Sequence, residues 1–198
     1  NTVGTYILKY GATDTSGNIA IEVQRIVTVG DTGAPVILLV GDILVTHEAK
    51  TTYEDAGASA SDTLDGSLNV TSVSTVNTDV VGSYSVTFSV SDADGNAAAD
   101  VVRTVSVVDT TKPVITLLGN ATETVEAKTT YTDAGASASD TLDGNLTGSV
   151  TIVSTVNTDV VGSYSVTYSV SDANGKAADS VTRTVSVVDT TKPVITLL

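Results

Sequence analysis

Between residues 162 and 171 apolar and polar side chains alternate without a break. Tyr164, Val166, Tyr168 and Val170 share one parity, while Ser163, Ser165, Thr167, Ser169 and Ser171 share the other. A strict period of two predicts a half-buried antiparallel strand with a wet outer face. Asn174-Gly175 follows, and such a pair predicts a two-residue turn with positive φ at both central positions. Asp94-Gly95 and Ser16-Gly17 occupy the same place in two other stretches. The return strand carries Val181, Arg183, Val185 and Val187 on one parity, so a long hairpin is expected. Upstream, "KPVITLL" opens with a Lys-Pro that cannot sit in a central ladder and therefore marks a boundary. Further short β-rich runs, near "TETVEA" and "SVTIVS", are separated by turns containing Gly and Asp. No segment sustains a helical period. About seven short strands in roughly 80 residues predict a small β-sandwich. Its core should take Tyr84, Val86, Phe88 and Val90, and in a second copy Tyr164, Val166, Tyr168 and Val170.

The copies are a tandem repeat. Pro35, Pro113 and Pro193 are spaced by 78 and then 80 residues, and Gly4, Gly82 and Gly162 and Tyr6, Tyr84 and Tyr164 share those intervals. The two extra residues fall between Asp143 and Asn157. "RTVSVVDTTKPVITLL" occurs verbatim at 103–118 and at 183–198. A unit of this size is a whole domain rather than a solenoid turn. The expected organisation is the last part of a unit at 1–34, complete units at 35–112 and 113–192, and the first strand of another at 193–198. That phase predicts a window on a longer array. Only Asp-Thr-Thr-Lys-Pro separates Val108 from Val114, and so short a proline-containing linker favours an extended rod.

The segments "GSYSVTF" and "GSYSVTY" resemble the tyrosine corner of immunoglobulin-like domains. Val86 and Val166 stand where an antibody domain has its second Cys, and Trp is absent, so an antibody-type domain is excluded. The longer pattern Y-x-D-x-G-x-x-A-x-D-x-x-D-G, then G-x-Y-x-V-x-[YF]-x-V-x-D-x-x-G, then R-x-V-x-V-x-D resembles bacterial Ig-like domains found in tandem in secreted and cell-surface proteins, akin to hyalin repeats. The resemblance covers both complete units and the first hairpin. It implies an all-β chain of tandem immunoglobulin-like sandwiches at the bacterial cell surface or outside the cell.

Composition narrows the partners. The formal net charge is −14 over 198 residues, which argues against a phosphate backbone or an anionic membrane as partner. No apolar run is long enough to insert in a membrane, and a signal peptide is expected outside this stretch. Without Cys there is neither a disulfide nor a thiolate metal site. Val, Ala, Thr and Ser dominate, which is β-sheet chemistry.

Catalytic chemistry is hard to assemble from these residues. His47 is the single histidine, so triads and multi-histidine metal sites are excluded, and a surface position is expected for it. The acids recur in every unit, and an active site copied along an array is not expected; the chain is read as no enzyme. The recurring carboxylates Asp55, Asp62 and Asp65, and Asp133, Asp140 and Asp143, lie in "DAGASASDTLDG". Calcium takes six to eight oxygens, so these loops are candidate calcium sites; the alternative is that Asp before Gly builds Asx-turns. "DADGN" at Asp92–Asn96 mimics the start of an EF-hand loop but lacks the closing Glu, and Lys176 stands in its counterpart, so a turn is expected there. Asp109 could face Asp172, an arrangement similar to calcium-rigidified linkers in cadherin-like arrays, but Lys112 offers Asp109 a neutralising partner. Arg25, Arg103 and Arg183 recur on the apolar parity and are expected at the sandwich rim, stem packed and head paired with a carboxylate. Asn69, Asn120 and Asn145 start N-x-T sequons.

The function expected is a non-catalytic structural or interaction segment: a stalk, adhesin shaft or surface fibre. Its partners would be neighbouring repeats, with lateral self-assembly or a cell-surface ligand as further options. The alternative is an accessory carbohydrate-binding or spacer module of a secreted enzyme. Missing Trp and core-facing tyrosines weaken that second reading.

Overall fold

The structure, a computed structural model, describes residues 2–196. The chain forms two compact units. One comprises Asn1–His47, Thr52–Asn77 and Gly82–Val107, the other Glu48–Thr51, Thr78–Val81 and Val108–Leu198.

The first begins with a two-stranded hairpin, β1 (Gly4–Tyr10) and β2 (Val23–Val29), paired antiparallel from Gly4↔Val29 to Tyr10↔Val23. No second sheet packs on it among the described residues, so Tyr6, Leu8 and Tyr10, on the apolar parity, are exposed. The chain continues through β3 (Val36–Leu39), β4 (Leu44–Glu48), β5 (Ala58–Asp62), β6 (Gly66–Leu68), β7 (Thr71–Ser74), β8 (Gly82–Ser89) and β9 (Val101–Val108). These form two sheets, ordered β3-β5-β6 and β4-β9-β8-β7. Val86, Phe88 and Val90 of β8 and the residue after it, with Val105 and Val107 of β9, are buried; Tyr84 is half-buried.

The second unit repeats the plan with β10 (Val114–Leu117), β11 (Thr122–Glu126), β12 (Ala136–Asp140), β13 (Gly144–Asn145), β14 (Thr151–Ser154), β15 (Gly162–Ser169) and β16 (Val181–Val188). Its sheets run β10-β12-β13 and β11-β16-β15-β14. β11 pairs parallel with β16, from Thr122↔Thr184 to Glu126↔Val188, and the other pairings are antiparallel. Ile115, Ala136 and Ala138 of one sheet meet Val166, Tyr168 and Val185 of the other in a single core. The two-residue insertion falls by a short 3-10 turn at Thr147–Ser149. Tyr164 closes the corner: its hydroxyl donates to the Val160 carbonyl, four residues upstream, at 2.8 Å. Residues 193–196 are exposed and form no strand; in the complete copies the corresponding residues pair with β5 or β12. Residues 197 and 198 of the expected first strand lie outside the described residues.

The closing hairpins differ from the expected two-residue turn. Asn174 and Asp94 do not have positive φ; only Gly175 (φ 83°) and Gly95 (φ 92°) do. Gly175 N–H donates to the Asp172 carbonyl at 3.3 Å, and Asp172 N–H donates to the Lys176 carbonyl at 3.0 Å. This is a three-residue loop, a type I turn followed by a left-handed residue that only glycine adopts readily.

The arginines sit deeper than the rim. Arg103 and Arg183 are 1% and 0% exposed, whereas Arg25, in the hairpin without an opposing sheet, is exposed. Arg183 Nε donates to the Asn120 carbonyl at 2.8 Å, and its terminal nitrogens reach the Leu118 carbonyl, the Gly135 carbonyl (3.3 Å) and an Asp133 carboxylate oxygen. Tyr131 and Tyr168 donate to the same carboxylate at 2.9 and 2.5 Å. Arg103 repeats the pattern with the Asp42, Val40 and Gly57 carbonyls and Asp55, to which Tyr53 donates at 2.6 Å. Phe88 replaces Tyr168 and supplies only its ring, 5.6 Å below the Arg103 guanidinium. An unpaired charge at this depth would be prohibitive, so paired carboxylate and carbonyls are what admit arginine to the apolar parity. Gly119, at φ +78°, makes the tight connection beneath Arg183; an added Cβ there would come within 3.3 Å of Ala134 Cβ.

Two outcomes follow from this packing. Val166→Ala removes a fully buried side chain from the centre of the sandwich and should lower the unfolding free energy by about 1–3 kcal/mol, read by urea denaturation. Burial raises the Asp133 pKa, but the two tyrosine hydroxyls, Arg183 and the Gly135 amide together hold it below its ordinary value. A depressed folded pKa contributes stability that is complete above about pH 4 and is lost as pH falls through the folded value. Asp133→Ala should therefore destabilise at pH 7 by about 3–5 kcal/mol, toward the lower end because 21% of that side chain faces solvent. The stability of Asp133→Asn should fall less steeply than wild type between neutral pH and pH 2.

Candidate cation sites

Three loops converge at the pole of each sandwich where the preceding segment comes in. The first is the incoming segment, with Asp31 or Asp109. The second is the connection from the central to an edge strand of the smaller sheet, β5 to β6 with Asp62 and Asp65 or β12 to β13 with Asp140 and Asp143. The third is the hairpin loop, with Asp92 or Asp172. Carboxylate oxygens of Asp31, Asp62 and Asp92 all lie within 4.8 Å of one another, as do those of Asp109, Asp143 and Asp172. The repeat intervals make Asp31 equivalent to Asp109, Asp62 to Asp140, Asp65 to Asp143, and Asp92 to Asp172. Each group holds three carboxylates; the incoming and hairpin members correspond between the units, whereas the third is Asp62 in one and Asp143, the counterpart of Asp65, in the other.

Local sequence explains how each carboxylate is held. Asp62 Oδ1 accepts the Leu64 and Asp65 amides at 2.6 and 3.2 Å, and Asp140 Oδ1 accepts those of Leu142 and Asp143 at 2.7 and 3.1 Å. These are Asx-turns, the alternative raised for these residues from sequence. Asp65 and Asp143 then reach across to the hairpin, accepting the Ala93 and Ala173 amides at 2.8 Å in both copies. Asp92 accepts the Asn96 amide and its side-chain NH₂, both at 2.7 Å. Burial raises the Asp92 pKa, but the two Asn96 bonds and the Gly95 and Asp94 amides hold it below the ordinary carboxylate value. Asp172 accepts the Lys176 amide through Oδ1 at 2.7 Å. Asp31 accepts the Gly33 amide at 2.9 Å, while Asp109 accepts the Thr111 amide and hydroxyl and, through Oδ2, the Asn174 NH₂ at 3.1 Å.

The sequence-predicted residues divide in two. Asp62, Asp65, Asp140 and Asp143 stand at this pole. Asp55 and Asp133 are engaged by Arg103 and Arg183 and belong to neither group of neighbouring carboxylates. The facing of Asp109 and Asp172 is present. Lys112 does not neutralise Asp109; its ammonium pairs with Asp179 at 3.1 Å. Asp31 was missed as a ligand candidate because it lies in a loop far from the others in sequence, and Asp92, weighed as the start of an EF-hand-like loop, was read as a turn. His47 is half-buried rather than on the surface, its ring edge-on to Tyr53 with centroids 5.1 Å apart.

Comparison with known proteins places this geometry in context. The family described as "Bacterial surface protein, Ig-like domain" matches residues 37–107 and 115–187. Among solved structures, the lipoprotein BT2262 from Bacteroides thetaiotaomicron aligns at 26% identity over 41% of this chain and 40% of its own, with a TM-score of 0.36. The M60 catalytic domain with two CBM51 domains from Clostridium perfringens ZmpB aligns at 14% identity over 92% of this chain, TM-score 0.47. Domains 4–9 of the surface layer protein SbsC align at 16% identity over 94% of this chain, TM-score 0.26. The chain spans 40%, 33% and 35% of these three structures, and the superpositions are too loose to carry an assignment. No curated protein matches the sequence. The two matched stretches together make up well over half of the chain, and it belongs to the bacterial surface protein Ig-like domain family.

Proposed function

We propose that the chain is a non-catalytic spacer, part of a stalk or adhesin shaft that projects a functional domain from the bacterial surface. What carries the reading is the tandem of two surface Ig-like units, at 37–107 and 115–187, joined by a few residues. Both are built on the same buried arginine–aspartate pair. A repeated module that varies so little is suited to setting a length. The five residues between Val108 and Val114, one of them proline, restrict bending.

The carbohydrate-binding alternative needs an exposed aromatic platform for sugar rings. Within the two complete units Phe88 and Tyr168 are buried and Tyr53, Tyr84, Tyr131 and Tyr164 are half-buried; the exposed Tyr6 and Tyr10 lie in the first hairpin. This favours the spacer.

Small-angle X-ray scattering of the 198-residue chain tests the proposal. A spacer should give a radius of gyration well above the about 16 Å expected for one compact body of that length, together with a scattering profile characteristic of a rod. A value near 16 Å would overturn it. Saturable binding of bacterial or host polysaccharides to the same chain would replace it with the accessory-module reading.

A further inference from the structure

We infer that each complete unit binds a calcium ion at this acidic pole, through Asp31, Asp62 and Asp92 in the first and Asp109, Asp143 and Asp172 in the second. Clustering of acids alone would not carry this. The second observation is the state of individual oxygens. Asp172 is 8% exposed, its Oδ1 takes the Lys176 amide, and its buried Oδ2 has no hydrogen-bond partner. That carboxylate lies against those of Asp109 and Asp143. Asp140, 9% exposed, likewise has Oδ1 on two amides and a buried Oδ2 with no partner. In the other unit Asp31, itself half-buried, also has a buried Oδ2 with no partner, and its carboxylate lies near those of Asp62 and Asp92.

A buried anionic oxygen without a donor is costly, and carboxylates side by side repel one another. A positive charge between them would reverse both penalties. Among the described residues neither Lys112 nor Lys176 pairs with these carboxylates, and Lys112 is engaged with Asp179. The amide bonds leave the unpartnered oxygens of Asp31, Asp140 and Asp172 free of any competing donor.

The donor set selects the ion. All the groups are hard carboxylate oxygens, without imidazole or thiolate, which suits calcium or magnesium rather than zinc or copper. Aspartates drawn from three separate loops, already committed to amide bonds, give an irregular cage. Calcium tolerates such a cage, whereas magnesium demands a near-ideal octahedron.

Isothermal titration of calcium chloride into the whole chain, at fixed ionic strength after EGTA treatment, tests the inference. Two ions should bind per chain, and the melting temperature should rise in calcium beyond that in sodium chloride of matched ionic strength. Asp92→Asn should remove the first site and Asp172→Asn the second, each leaving one ion bound; the double variant should bind none. Circular dichroism in EGTA checks that the variants stay folded, and Asp31→Asn with Asp109→Asn provides a second pair acting from the incoming segments. Calcium heats and melting temperatures indistinguishable from matched salt would overturn the proposal. So would a folded double variant that still binds two ions.

Discussion

A guanidinium in the middle of a β-sandwich imposes more on its surroundings than any apolar residue there. Arg183 has five N–H groups to satisfy and no water to satisfy them, so the chain must bring acceptors to it. It does so with the Leu118 and Asn120 carbonyls from the β10–β11 connection, the Gly135 carbonyl, and the Asp133 carboxylate from the segment before β12. These connections cross from one sheet to the other. The last strand of the unit thereby fixes loops laid down some 50–65 residues earlier. The tight glycine turn at Gly119 and the tyrosines around Asp133 are consequences of that need. Arg103 imposes the same geometry on the first unit with one donor fewer, because Phe88 has no hydroxyl to offer Asp55.

Much of this was legible in the sequence. Alternation placed Val86, Phe88, Val166 and Tyr168 in the core, because a period of two leaves a strand only one way to face. The intervals between prolines and tyrosines showed the duplication, and the Gly-x-Tyr motif showed the corner that Tyr164 closes on Val160. Burial of the arginines was less legible. An arginine on an apolar parity reads equally well as a rim residue with its head in water. What decides is Asp133, 50 residues away, and no spacing rule reaches that far. The hairpin turns illustrate the opposite failure. Asn-Gly was given too local a meaning, whereas the asparagine keeps an ordinary backbone and the glycine alone takes the left-handed position.

The aspartates show how one residue type serves different ends. Asp55 and Asp133 neutralise a buried cation of the chain itself. Asp65 and Asp143 hold a hairpin by its amide, and Asp62 and Asp140 shape a turn. Along the sequence these look interchangeable, each an aspartate in a Gly-rich loop. They are separated by which donors the fold brings to each oxygen, and that depends on contacts between loops that the sequence spaces widely. In a chain of net charge −14, the position of every positive charge and every amide therefore sets how acids can be packed together.

The bond from Asn174 to Asp109 gives the repeat a direction. Asp109 precedes the proline at which sequence alone would divide one unit from the next, yet its carboxylate is held by the hairpin of the unit that follows. A unit excised at Pro113 would lose a side chain that its own loop is built to receive. The compact units accordingly divide upstream of the aspartate, between Val107 and Val108.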